Sequence, residues 1–311
     1  QDGLRLGALL RLREAHDPDS YPVPASSTFA TLTLEGEQVT QTHAALDRAH
    51  HHAARWLDGL DTRSVAATAT LEQLRTRLGV PLDELGADPA QIVDDLAAAT
   101  EGGLIGSPSG RFFAWVIGGT LQSAVAADWL TSAWDQNAGM YATAPAAAIA
   151  EEVAGAWLLD LLDLPRDASF AFVTGCQMAH VTALAAAREG VLRRAGWSVE
   201  TDGLFGAPRI RVLANGTRHS TVDRALRFLG IGERAVCPIP TDDDGRVTEA
   251  SLRSALEANP GPTILVLAAG DLNTGVFDSF RAMIPIAQAA GAWVHIDGAF
   301  GLMARASRSK R

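Results

Sequence analysis

Near its C-terminal end the chain carries the run HIDGAFG, in which Asp297 follows an apolar, strand-like segment and the small residues Gly298 and Ala299 come next. A carboxylate placed just after a buried strand of a parallel sheet points into the crevice where such folds bind ligands, and its charge needs a cationic partner there. Among common cofactors a protonated pyridine nitrogen meets that need, and the small residues leave room for a flat ring. The competing reading is that Asp297 caps the next turn or accepts backbone donors.

Three further stretches have the same character. In VTGCQMAHVTALAAARE, residues 173–189, a strand end, a glycine turn and a helix start follow one another. Free backbone N–H groups and the positive end of the helix dipole at Gly175, Cys176 and Gln177 suit an anion such as a phosphate. Neither the Gly-Lys-Ser/Thr of a P-loop nor a Gly-x-Gly-x-x-Gly run is present, so a nucleotide is not indicated, and an ordinary strand-to-helix turn is the alternative. In NGTRHSTVDRALRFLGIG, residues 215–232, His219 stands past a strand and at a helix start. An imidazole there either stacks on a planar cofactor or is satisfied by its own loop. In LAAGDLNTGVFDSF, residues 267–280, Asp271, Asn273 and Thr274 either line the same crevice or make a generic turn.

Two other features carry less. The run His50-His51-His52 has no Cys or carboxylate at metal-ligand spacing and reads as a solvated helix face. Asp242-Asp243-Asp244-Gly245 lacks the alternate spacing of a calcium loop and reads as a tight turn. No metal site is expected.

The elements that must position these residues follow from periodicity. Strands are predicted over 169–173, 209–214, 236–239, 263–269 and 293–296, alternating with helices over 178–195, 221–229, 249–258 and 279–289. That alternation is the pattern of βαβ units around a doubly wound, mostly parallel sheet. Upstream, residues 44–100 are rich in Ala, Leu, Arg and Glu at helical spacing, and residues 21–33 read as an extended arm of the kind that packs on a partner subunit. Turn residues at Gly102-Gly103 and Gly106 to Gly110 divide the chain into an N-terminal arm and helical region, 1–105, and a large domain, 106–311.

Composition narrows the function classes. The 311 residues are 47% hydrophobic with a formal net charge of -10 spread without long single-sign runs, which argues against a nucleic-acid or anionic-membrane surface. Two cysteines, Cys176 and Cys237, support no disulfide framework, and no apolar run approaches the ~20 residues of a membrane span. A cytoplasmic protein is expected, and Gln1 implies that its first residues are trimmed.

The order and sequence of the four polar strand ends resemble the pyridoxal-phosphate-dependent group II amino acid decarboxylases, the glutamate/aromatic amino acid decarboxylase-like family, over roughly 111–306. The resemblance implies an α/β, aspartate-aminotransferase-like (fold type I) architecture, pyridoxal 5'-phosphate as cofactor, an amino acid substrate, release of CO₂ and a homodimer. HIDGAFG is similar to the family's His-x-Asp segment, which makes Asp297 the partner of the pyridine nitrogen and sets Ala299 against the ring. HSTVDRALRFLG resembles the segment whose His stacks on the ring, here His219, so that His219 and Asp297 are the expected catalytic residues. GDLNTGVFD is similar to the Gly-x-x-x-Thr-Gly-x-Phe-Asp loop, adding Asp271 and Thr274 to the cofactor contacts made by Gly175, Cys176 and Gln177. The segment starting at Phe112 and Phe113 looks like the substrate-side region.

The chain also departs from the family. Where relatives usually carry Ser/Thr-Gly-Gly-Ser/Thr-Glu-Ala-Asn, this chain has Thr174-Gly175-Cys176-Gln177-Met178-Ala179-His180, which keeps the backbone cradle and alters the side-chain contacts. The family's Schiff-base lysine follows the Asp within a His-Lys pair; here the sole lysine is Lys310, in a Ser/Arg-rich tail that does not match, so a chain truncated before that lysine is expected. Contacts from Asp297, the helix end and His219 sum to roughly 4–6 kcal/mol, against ~8 for micromolar binding, so cofactor held by these alone binds near the millimolar range. Two alternatives stand beside decarboxylation: another fold type I reaction (aldol-type cleavage, transamination or desulfuration), and a non-catalytic subunit paired with a complete copy.

Overall fold

The computed structural model describes residues 43–307 apart from 83, 118 and 259; the expected arm at 21–33 and Lys310 lie outside the described residues. The chain divides into two compact units, Gln1–Phe112 and Phe113–Arg311.

In the first unit three helices occupy the Ala/Leu-rich region: α1 (Ala44–Asp58), α2 (Leu71–Leu78) and α3 (Pro89–Ala99). Local chemistry sets their starts. Thr70 and Gln73 form a reciprocal capping box at α2, while Asp88 caps α3 with Pro89 in its first turn, where a missing N–H costs nothing. Arg48 and His52, four residues apart and therefore on one face of α1, both reach Asp94 of α3, at 2.8 and 2.6 Å. The hydrogen bonds from Arg48, then His52, hold the Asp94 carboxyl below its usual range. His50 and His51 are exposed, whereas His52 is half-buried in this pairing, so the expected solvated face is corrected at one residue. The reason is that α3 supplies a carboxylate no local pattern in α1 announces.

The second unit runs α4 (Gln122–Trp134), α5 (Pro145–Leu161), α6 (Gly175–Arg194), the one-turn α7 (Val199–Asp202), β1 (Arg211–Ala214), α8 (Ser220–Phe228), β2 (Val236–Pro238), α9 (Glu249–Ala258), β3 (Thr263–Ala268), α10 (Phe280–Ala289) and β4 (Trp293–Asp297). The sheet has the order β2-β1-β3-β4 with every pair parallel. Because side chains alternate along a strand, Val212, Ala214, Ile264 and Val266 pack with Leu184, Val191 and Leu226 of α6 and α8 on one face. Leu213, Leu265 and Leu267 pack with Leu252 of α9 and Met283 of α10 on the other. A sheet covered by helices on both faces needs continuous apolar strands, and TILVLA at β3 is one. The Asp242 run is the turn expected, with the Asp242 carboxylate accepting from the Asp244 and Arg246 N–H groups.

One predicted strand is corrected. Residues 169–173 form no strand, and Phe170 and Phe172 are exposed at 43% and 50%. Alternating Phe, Ala, Phe and Val satisfy the local pattern, but a strand exists only where a neighbour completes its ladder, and none of the described strands lies beside this segment.

Candidate active site

The site is assembled where α6 begins and β4 ends. On β4, His295 and Asp297 are two residues apart and share the face that meets α6. Close approach of the two elements depends on Gly190, where an added Cβ would sit 2.7 Å from the Trp293 ring. That approach carries His180 of α6 into the interior, leaving it 3% exposed.

His180 Nε2 lies 3.4 Å from Asp297 Oδ2, and His180 Nδ1 lies 3.0 Å from His295 Nε2. The first distance is long for a hydrogen bond, yet Nε2 is buried and has no nearer partner among the described residues. The second Asp297 oxygen accepts from the Ala299 N–H at 3.1 Å. The His180 imidazole holds the Asp297 carboxyl below the usual carboxylate range, against burial, which pushes it up. Burial, followed by the neighbouring His180, lowers His295 to about 4, so its ring is neutral at pH 7. Burial and then the Asp297 charge push the Cys176 thiol up.

Cys176, His180 and Asp297 each offer one ligand atom within 4.8 Å of the others, a donor set that a metal ion could use. A thiol whose deprotonation is disfavoured is a poor ligand, and a carboxylate beside Nε2 favours an N–H over the lone pair a metal needs. An organic cation suits this carboxylate better.

At the start of α6, Gly175 has φ of +73°, a conformation costly for other residues, and no side chain caps the first N–H groups. The Gln177 side chain donates to the Thr221 carbonyl at 3.2 Å and accepts from Arg224 at 3.3 Å. Its amide is therefore occupied, and the backbone N–H groups are what α6 offers an anion. The same bridge ties α6 to α8, whose N-cap is His219; Nδ1 of His219 accepts from the Thr221 N–H at 3.3 Å and lies 2.8 Å from Thr221 Oγ1. The His219 ring is exposed.

The Asp271 loop is closed on itself. Asp271 Oδ1 accepts from the N–H groups of Asn273 and Thr274 at 2.9 Å and from Thr274 Oγ1 at 3.1 Å, and these backbone bonds lower its pKa. Asp278, buried behind that loop, accepts from the N–H groups of Val247 and Ala268.

Of the residues singled out in the sequence, Cys176 and Asp297 come within 4.8 Å of each other, the Ala299 N–H donates to Asp297, and Gln177 links the first turn of α6 to Thr221 beside His219. The side chains of Asp271 and Thr274 bond to each other. Sequence reasoning missed His180 and His295. A signal existed: Cys176 and His180 are spaced i, i+4 on a helix, and His295 and Asp297 i, i+2 on a strand, so each pair shares a face.

An all-parallel sheet covered by helices, with a charged carboxylate at the end of one strand and an uncapped helix N-terminus beside it, defines a type I cofactor-binding fold. Solved structures agree on that fold: mouse CSAD in apo form superposes with a TM-score of 0.77 at 22% identity, covering 86% of this chain and 57% of that one. Oryza sativa TDC with PLP gives 0.76 at 24% identity, covering 87% and 60%. Residues 72–311 match the pyridoxal-dependent decarboxylase conserved domain, and the chain belongs to that family. An aromatic-L-amino-acid decarboxylase of Bacillus atrophaeus is 26% identical over 275 residues, 87% of this chain and 54% of its own. An L-2,4-diaminobutyrate decarboxylase of Rhizobium meliloti is 32% identical over 185 residues, 57% of this chain and 34% of its own. The chain thus spans about half the length of the first relative. The residues present fit the cofactor the family name implies: an anionic carboxylate for a ring nitrogen, free helix-end donors for a phosphate and an exposed imidazole at the N-cap of α8.

Proposed function

We propose that this chain carries the cofactor site of a pyridoxal-phosphate-dependent amino acid decarboxylase, a carboxy-lyase. The observation that carries the reading is the Asp297 carboxylate, held in its charged form by His180 at the end of β4 and within reach of the start of α6. Bound pyridoxal 5'-phosphate supplies an electron sink for the carbon that loses CO₂.

The residues divide the work. Asp297 keeps the ring nitrogen protonated, since a buried carboxylate at hydrogen-bond range favours the cationic form. The N–H groups of Gly175, Cys176 and Gln177 bind the phosphate through the helix end. His219, anchored through Nδ1 to Thr221, presents its ring face for stacking. Ala299 leaves room beside the ring, and the Asp271–Thr274 turn shapes the rim at the end of β3.

The fit of the whole extends the proposal to an amino acid substrate, a homodimer and a cytoplasmic location. Both cysteines are free thiols, and no helix among the described residues is long and apolar enough to cross a membrane. Homodimerisation is checked by sedimentation at several concentrations.

Titration of the chain with pyridoxal 5'-phosphate into the millimolar range is expected to give saturable visible absorbance that Asp297→Ala weakens about tenfold or more, from a charged hydrogen bond of ~1.5–3 kcal/mol. An unchanged titration sinks the reading. Incubation with aromatic, acidic and diamino acids, scored for CO₂ against keto acid, then separates decarboxylation from transamination.

A further inference from the structure

The carboxylate of Asp297 is only as useful as its orientation. One oxygen is fixed by the Ala299 N–H at 3.1 Å; the other faces His180 Nε2 at 3.4 Å. A carboxylate is an acceptor only, so a lone pair on Nε2 would set two acceptors against each other at a ring that is 3% exposed. Nε2 therefore carries a proton. A neutral imidazole protonated there has its lone pair on Nδ1, and the atom facing that lone pair is His295 Nε2 at 3.0 Å. A donor is needed at that position, so His295 must carry its proton on Nε2.

The alternative gives His180 both protons. It would bury a charged ring at a position only 3% exposed, and it would turn His295 into an acceptor. His295 stays neutral in either arrangement, because its burial disfavours the charged ring. The two arrangements differ by one proton, on His180 Nδ1.

We propose that His295 and His180 form a neutral relay, His295 Nε2–H donating to His180 Nδ1 and His180 Nε2–H donating to Asp297 Oδ2, which makes His180 a positioning residue for the carboxylate. With Oδ1 and Oδ2 both restrained, rotation of the carboxyl group is blocked and its remaining lone pairs are presented outward. The benefit to the cofactor rests on the reading of Asp297 given above; the placement of the protons does not.

The test uses the full 311-residue chain, labelled with ¹⁵N at histidine and free of cofactor. Long-range ¹H–¹⁵N NMR at neutral pH is expected to show His180 protonated on Nε2 alone and His295 protonated on Nε2. A proton on His180 Nδ1 overturns the relay. Two variants then read its consequence: His295→Phe removes the donor, while His295→Gln keeps an N–H near the same place. The Asp297 carboxyl titration, followed by ¹³C NMR, should move upward in the Phe variant and return in the Gln variant. Pyridoxal 5'-phosphate should bind about three- to tenfold more weakly to the Phe variant and within about twofold of the parent to the Gln variant. Equal Asp297 titrations in all three proteins sink the proposal. If the NMR pattern holds while Asp297→Ala leaves cofactor absorbance unchanged, the cofactor reading fails and the relay stands; absorbance that responds to Asp297 beside a protonated His180 Nδ1 is the reverse result.

Discussion

Asp271 and Asp297 look alike in the sequence, each standing at or just past the end of an apolar run that forms a strand of the parallel sheet, and in the structure each has a lowered pKa. Their causes differ. Asp271 is satisfied by the backbone of residues two and three positions ahead, within its own turn. Asp297 depends on an imidazole from α6, delivered across more than a hundred residues of chain and backed by a second imidazole. A carboxylate neutralised by its own loop has little left for a ligand, whereas one held from the side by a buried ring keeps its outward lone pairs.

The contrast can be broken most strongly through His295. Its lowered pKa means that below its ordinary value the unfolded chain binds a proton the folded chain does not. Folding stability should therefore rise with pH between about 4 and 6.5, by about 3 kcal/mol in all. Among the described residues, His180 and Asp297 are the ionisable groups that act on this ring. Urea unfolding across that range should show the slope, and His295→Gln should remove much of it; a parent protein with flat stability over this range contradicts the buried neutral ring.

A smaller effect is expected from separating α6 and β4. Gly190→Ala places a methyl group 2.7 Å from Trp293, and overpacking of this kind costs about 1–3 kcal/mol. Chemical denaturation measures the cost. If the site depends on this approach, the variant also loses affinity for pyridoxal 5'-phosphate, an effect with no counterpart at Asp271.

The smallest change belongs to the local carboxylate. Asp271→Ala removes a turn acceptor and should cost about 1 kcal/mol, comparable to losing a helix cap, while Asp271→Asn retains an acceptor and should cost only a few tenths. Its lowered pKa places its contribution above the ordinary carboxylate pKa, to be lost as pH falls through the folded value. Thermal unfolding of both variants checks the order, and a Asp271→Asn variant as damaged as Asp271→Ala would show that its charge matters more than the turn.

Much of this fold could be read along the chain. β1 to β4 and α8 to α10 fall where short apolar runs and period-3.6 patterns put them, because the strands are covered on both faces of the sheet and each helix buries one face. The failure at 169–173 has the opposite cause: its alternation is genuine, but pairing is a property of two segments, and one segment cannot report the other.

For the site, the sequence determined which groups stand at strand and helix ends, Asp297, His219 and the Gly175 turn among them, because those positions follow from local backbone geometry. Only the tertiary structure decided that His180 meets Asp297 and that His295 stands behind it, since their contact spans 115 residues and exists only where Gly190 lets α6 lie against β4. Spacing fixes the direction in which a side chain leaves its own element, and packing alone fixes what it meets.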